Sequence, residues 1–381
     1  MESQLLSLNF SRGPGQSKHE RLRNHFLAEL RSGRLKPGQA IPTEQSMMEA
    51  LGLARATIRQ AMASLESEGL IRRVQGKGTF VEQDVRRKLK RGQDIFALVV
   101  PETREGFYPS LLHGFEIAAS GIDYQTIVSN TDNDIERQGN IVLQLLDKEV
   151  GGVAINTSDV RPTPAFQIRQ LQKQGIPVVF CHRGVDGVAA PLLAIPFEEC
   201  GRLEGRALAE YGHRHVAFFT TKGSQASVIS EAALREALQV GIGDCRVESV
   251  YIEDRPISLR EETCWAALQE LFAKPNPPTA IVATFDSLAE LIYYQLQKLG
   301  LRVPQDVSLI GEGGTWREDP FSRRLTSVVI DETATGQKAV ELLHEMRCGD
   351  RAIDSDEVFV MQPELYRGET LAAPTSTSRR G

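Results

Sequence analysis

Long hydrophobic runs are missing from this 381-residue chain. None reaches the roughly 18 residues that a membrane span needs. The start, MESQLLSLNFSRGPGQ, has no basic segment leading into an apolar one, so no signal peptide is expected. Cysteine is scarce. Cys181, Cys200, Cys245, Cys264 and Cys348 are scattered and show neither metal-ligand nor redox spacing, which suits reduced thiols in the cytoplasm. Gly151-Gly152 and Gly311–Gly314 are not followed by the helix and lysine of a phosphate loop. No Ser-His-Asp or Cys-His grouping stands at recognisable spacing. His213-x-His215 would share a strand face, but no carboxylate or cysteine close in sequence completes a metal set. These absences argue against a membrane protein, a metal or other cofactor, and an enzyme.

What is present is an ordinary globular composition, 41% hydrophobic and 25% charged, long enough for two or three domains. The net charge of −6 hides a division. Residues 1–91 carry 17 Lys/Arg against 9 Asp/Glu, and the remainder 27 against 41. A basic head on an acidic body points to a polyanionic partner for the head alone.

The head reads as three short helices and a hairpin. In HERLRNHFLAELR, Leu22, Phe26, Leu27 and Leu30 fall on one helical stripe. Thr43 is a good N-cap for a helix over 44–51 that stops at Gly52. A third helix follows near 55–68, with Ile58, Met62 and Leu65 facing inward. Two β-forming stretches, Leu70–Val74 and Thr79–Val81, then flank Gln75-Gly76-Lys77-Gly78, which has turn chemistry. This order makes a winged helix-turn-helix, in which the third helix enters the major groove. Arg55, Thr57 and Arg59 lie at the start of that helix, and Arg72, Arg73 and Lys77 surround the wing. A winged helix that binds protein instead is the alternative, and the basic helix and wing argue against it.

Gly33-Arg34-Leu35-Lys36-Pro37-Gly38, Pro42-Thr43-Glu44, Arg55-x-Thr57-Ile58-Arg59 and Gln75-Gly76-Lys77-Gly78-Thr79-Phe80 occur in this order over about 60 residues. Together they resemble the DNA-binding domain of the GntR family. The resemblance implies base contacts from Arg55 and Arg59, a phosphate contact from Thr57, and wing contacts from Gln75, Lys77 and Thr79. It adds Arg34, Thr43, Glu44, Arg72, Gly76 and Gly78 to the expected DNA surface. One position departs: Ala54 stands where the family usually has a capping serine.

The segment 84–93, DVRRKLKRGQ, reads as a basic linker between a head at 18–83 and a larger domain at 94–370. It is either a solvated connector or a further backbone contact with DNA. In the larger domain, strands such as Ile95–Val100, Gly152–Ile155, Val216–Thr220 and Ala280–Thr284 alternate with helices of 10–15 residues. That alternation predicts an α/β fold with parallel sheets. Two comparable runs predict two lobes with a ligand cleft at the carboxyl ends of the strands. The first 17 residues and a tail over 371–381 are expected to be disordered.

Phe107-Tyr108-Pro109, Gly175-Ile176-Pro177-Val178-Val179, Gly212-His213-Arg214-His215-Val216-Ala217, Thr284-Phe285-Asp286-Ser287 and Val303-Pro304-Gln305-Asp306-Val307 are spread along this domain. In this order they resemble the effector-binding core of the LacI/GalR regulators, a two-lobed type I periplasmic-binding-protein-like fold. A GntR-type head on such a core resembles the arabinose-repressor type of chimera.

Asp286 matches the acidic residue that the resemblance assigns to ligand hydroxyls; helix N-cap is its alternative role. Phe107 and Tyr108 are candidates to stack on a sugar face, or to pack in the wall. His182 precedes Arg183 where the family has Asp-Arg, and Ser230 takes the place of a clamping arginine. Glu312 lies in the altered Gly311-Glu312-Gly313-Gly314 segment, and Trp316 follows it. These departures disfavour an ordinary hexose or pentose, leaving a modified sugar, an unusual glycoside or no ligand.

The expected protein is a cytoplasmic, ligand-responsive repressor. It would bind a pseudo-palindromic double-stranded operator as a homodimer and sense a sugar or sugar derivative. The alternatives are a solute-binding protein, which would need export, and a sugar-active enzyme, which would need a catalytic cluster.

Overall fold

The computed structural model describes residues 17–31, 34–85, 94–104, 106–158, 163, 165–253, 257–314, 317 and 319–375. The chain divides into two compact units between Asp94 and Ile95.

In the first unit, α1 (Lys18–Arg31), α2 (Glu44–Leu51) and α3 (Arg55–Ser67) precede an antiparallel pair, β1 (Ile71–Val74) and β2 (Gly78–Val81). Leu22, Phe26, Ile58, Leu65 and Val81 are at or within 1% of complete burial in one core, so the stripes read from the sequence meet each other. Thr43 caps α2 by accepting from Ser46 N at 3.1 Å, and Gly52 ends it in a left-handed conformation.

The second unit contains two six-stranded sheets. One has the order β13-β7-β6-β5-β3-β4, from β3 (Ile95–Val100), β4 (Gln125–Asn130), β5 (Gly152–Asn156), β6 (Val178–His182), β7 (Leu192–Ala194) and β13 (Val358–Val360). The other has the order β14-β12-β11-β10-β8-β9, from β8 (His215–Thr221), β9 (Arg246–Ile252), β10 (Ala280–Ala283), β11 (Ser308–Gly314), β12 (Thr326–Ile330) and β14 (Glu364–Tyr366). Central strands are buried end to end, as expected where helices cover both faces. The chain passes between the lobes three times: between β7 and β8, after β12, and between β13 and β14.

The helices of the first lobe are α4 (Tyr108–Gly121), α5 (Ile135–Asp147), α6 (Ala165–Lys173) and α12 (Glu332–Cys348). Those of the second are α7 (Phe197–Glu210), α8 (Gln225–Ile242), α9 (Ile257–Phe272), α10 (Asp286–Lys298) and the short α11 (Pro320–Arg324). Two pairs touch backbone to backbone. A Cβ on Gly114 of α4 would lie 2.0 Å from Thr333 O of α12, and one on Gly201 of α7 would lie 1.9 Å from Ser230 O of α8. Only glycine permits these crossings.

Three features differ from the sequence expectation. β12, β13 and β14 complete the sheets, and β14 runs antiparallel to β12. β13 and β14 have three residues each and partly exposed side chains, too short for a periodic signal. The expected tail over 371–381 is ordered at its start: Leu371 is buried, and Ala372 N donates to Ser308 Oγ at 3.0 Å. Residues 1–16, 86–93 and 376–381, with most of the expected linker, lie outside the described residues.

Gly201→Ala is expected to destabilise the protein by about 1–3 kcal/mol, because the helix pair must move apart. Gly121→Ala, with nothing within 4 Å of the added Cβ, should be neutral or slightly stabilising. Thermal unfolding of both variants checks the contrast.

Candidate functional site

The residues expected to face DNA lie mainly on α3 and on the β1–β2 wing of the first unit. Arg55 and Arg59, one turn apart on α3, both donate through Nε to Glu44 Oε2, at 3.1 and 3.0 Å. Burial works against the Glu44 carboxylate, but the two arginines outweigh it and hold it below the usual range. Both guanidinium groups stay more than half exposed, so Glu44 fixes their direction without removing them from solvent. Thr57 is half-buried in the same turn.

The wing presents Gln75, Gly76, Lys77 and Gly78 to solvent, with φ of 72° at Gly76 and 113° at Gly78. Thr79 follows, half-buried, and its carbonyl accepts from Ile41 N at 2.9 Å. Arg72 faces Glu82 at 3.7 Å and Arg73 faces Glu66 at 3.2 Å. Arg34 is held by both carboxylate oxygens of the nearly buried Glu29, at 2.8 and 2.7 Å. The N-cap of α3 is Ala54, and no side chain caps that end.

In the second unit a cavity of about 210 Å³ opens at the carboxyl ends of β3, β6, β8, β10 and β11. Its lining includes six of the expected ligand residues: Phe107, Tyr108, His182, Arg183, Ser230 and Glu312. His182 is buried at φ 71°, a left-handed conformation unusual outside glycine and a mark of a constrained site. Its Nδ1 lies 2.8 Å from Asn156 Nδ2 and its Nε2 lies 3.0 Å from Glu332 Oε2. An Nε2–H tautomer satisfies both contacts, donating to the carboxylate and accepting from the amide. The Phe107 ring meets the His182 ring edge-on at 4.7 Å. Arg183 donates to Thr157 O at 2.9 Å and lies over the Phe197 ring.

Asp286 is placed differently. It is the first residue of α10, but Phe285 holds the N-cap position and no side chain caps the helix. The Asp286 carboxylate is not among the cavity-lining groups. It accepts from Ser327 Oγ at 2.8 Å and pairs with Arg317 at 2.9 Å. A Cβ at Gly311 or Gly313 would come within 2.3 Å of its oxygens, so the glycines after β11's apolar start make room for this carboxylate. Trp316 lies outside the described residues.

Several lining residues carried no sequence signal. Arg260, inside α9, is buried with its guanidinium 5.5 Å above the Phe285 ring. Glu332, Phe197 and Ser287 line the cavity from the first turns of α12, α7 and α10. A strand-to-helix junction is the general signal that could have found these three. His213 and His215, weighed above for metal, are held elsewhere. His213 is buried between Thr279 Oγ1 and Ala372 O, each at 2.9 Å, and His215 faces Glu248.

Comparison with known proteins agrees with this geometry. Residues 18–81 match the family described as bacterial regulatory proteins, gntR family, and residues 206–371 match the periplasmic binding protein-like domain. The chain is a chimera of a GntR-family head and a LacI-like core. The chimera is 27% identical over 360 residues to the arabinose metabolism transcriptional repressor of Geobacillus stearothermophilus, covering 91% of this chain and 96% of that one. It is also 27% identical over 286 residues to the transcriptional repressor PurR of Aliivibrio fischeri, covering 70% and 78%. Among solved structures, a LacI family transcriptional regulator from Mycobacterium smegmatis superposes with a TM-score of 0.60 at 24% identity. That match covers 74% of the chimera and all of the other chain.

Ala54→Ser should add about 1 kcal/mol of stability to the head by capping α3, read from urea unfolding of the wild type and the variant. A second expectation concerns Glu204 of α7, which is 1% exposed with no partner for either carboxylate oxygen. Burial first, and then the Glu312 carboxylate, push it well above the usual carboxylate range. Because the fold retains a proton that the unfolded chain loses above about pH 4.3, stability falls as pH rises from that value towards the folded pKa. Glu204→Gln removes the effect, so its stability advantage over the wild type should be larger at pH 8 than at pH 5, measured by thermal unfolding.

Proposed function

We propose that this regulator is a homodimeric repressor. Each winged helix reads one half of a pseudo-palindromic operator, and a sugar or sugar derivative in the cleft sets operator affinity. The observation that carries the reading is the pairing of an exposed Arg55–Arg59–Glu44 face with an open cavity lined by polar and aromatic side chains in one chain. One recognition helix per chain reads one half-site, which favours a twofold assembly. The names of the arabinose metabolism repressors support sugar sensing, and the cavity volume suits a molecule of monosaccharide size. Occupation that draws the lobes together would alter the placement of the heads, and a coupling of about 1–3 kcal/mol would change operator affinity about 5–150-fold. Such a protein works in the cytoplasm, where its operator is.

The test is binding of the full chain to the DNA upstream of its own gene, at fixed salt, with and without a panel of pentoses, hexoses and their derivatives. Specific binding should be released by one compound, and Arg59→Ala should lower specific affinity by about 1–3 kcal/mol with less effect on random DNA. Equal affinity for upstream and random DNA would reject the reading.

A further inference from the structure

The two walls of the cavity differ in chemistry. On the first-lobe side, each of two carboxylates already has a partner. Glu102 accepts from the backbone N–H groups of Thr103 and Arg104, at 2.7 and 3.0 Å, and Glu332 faces His182. The second-lobe wall offers donors. Ser230 is 2% exposed and lines the cavity, yet its hydroxyl has no partner. The Ser287 hydroxyl is likewise buried, lining and unpartnered. Arg260, also buried, lines the same cavity. Helices α8 and α10, 18 and 13 residues long, both begin on this wall and bring the positive ends of their dipoles to it. One carboxylate, Glu312, also lines the cavity from β11 and is the single acidic group of this wall among the described residues.

We infer that the second-lobe wall is an anion subsite. Arg260 pairs with a phosphate or carboxylate group of the effector, and Ser230 and Ser287 donate hydrogen bonds to it. The effector is thus an acidic sugar derivative and not the neutral sugar, and its hydroxyls share the cavity with Glu312. A buried hydroxyl without a partner is costly to keep and gains most from a charged acceptor. A guanidinium fork suits the paired oxygens of either anion. Ser230 matters as much for its size as for its hydroxyl, because a longer side chain there would fill part of the cavity. This inference rests on the reading of the cleft as the effector site.

The experiment is calorimetric titration of the full chain in chloride buffer with matched sets: D-ribose and ribose 5-phosphate; D-glucose, glucose 6-phosphate and glucuronate; L-arabinose and arabinonate. At least one anion should bind tenfold or more tightly than its neutral parent. The phosphate and carboxylate arms decide which anion it is. Arg260→Gln should abolish that preference, Arg260→Lys should retain part of it, and Ser230→Ala should reduce it about threefold to tenfold. If the glutamine variant fails to unfold cooperatively on heating, the lysine and alanine variants carry the test. No anion binding better than its parent, or a preference that survives Arg260→Gln, overturns the proposal. A neutral sugar that binds and releases the operator would keep the regulator and remove the anion subsite. An anion that binds through Arg260 without affecting the operator would keep the subsite and remove the regulatory reading.

Discussion

The core depends on how closely two pairs of helix backbones can approach. Gly114 and Gly336 bring α4 onto α12, and Gly201 and Gly205 bring α7 onto α8, with no room for a methyl group between them. These contacts decide more than packing. α4, α7, α8 and α12 all begin at the cavity, so the spacing of each pair sets where their first turns deliver Tyr108, Phe197, Ser227 and Glu332. A side chain at any of the four glycines would move cavity-lining groups as well as core atoms, and rigid interiors transmit such shifts.

Charge is distributed in the head and core by a common device, a carboxylate that orients cationic or donor groups without taking them out of use. Glu44 holds Arg55 and Arg59 side by side, and Glu332 fixes the His182 ring within the first lobe. Asp286 does the same for Arg317, beneath the strand whose glycines accommodate it. The last case accounts for the glycines at 311 and 313, where a side chain would run into the Asp286 carboxylate.

Much of this was legible in the sequence. The head could be placed almost residue by residue because caps, turns and apolar stripes agreed locally, as Thr43, Gly52 and Leu22–Phe26 show. The alternation of strands and helices carried the two-lobed core in the same way. What escaped was decided by tertiary contact. Arg260 lies within an amphipathic helix and looks like any surface arginine until α9 is packed beside Phe285. Asp286 precedes a helix as a ligand-binding or capping residue would, yet its role is set by Ser327, 41 residues away, and by Arg317. Residues 371–375 read as a loose tail because nothing local reveals that His213 and Ser308 wait for the carbonyl of Ala372.

The three passages of chain between the lobes have a mechanical consequence. Three crossings constrain how one lobe can shift against the other more tightly than a single linker would. Ile195, Ile330 and Glu332 lie on or next to two of those crossings and also line the cavity. Whatever fills the cavity therefore touches the chain where it crosses from lobe to lobe.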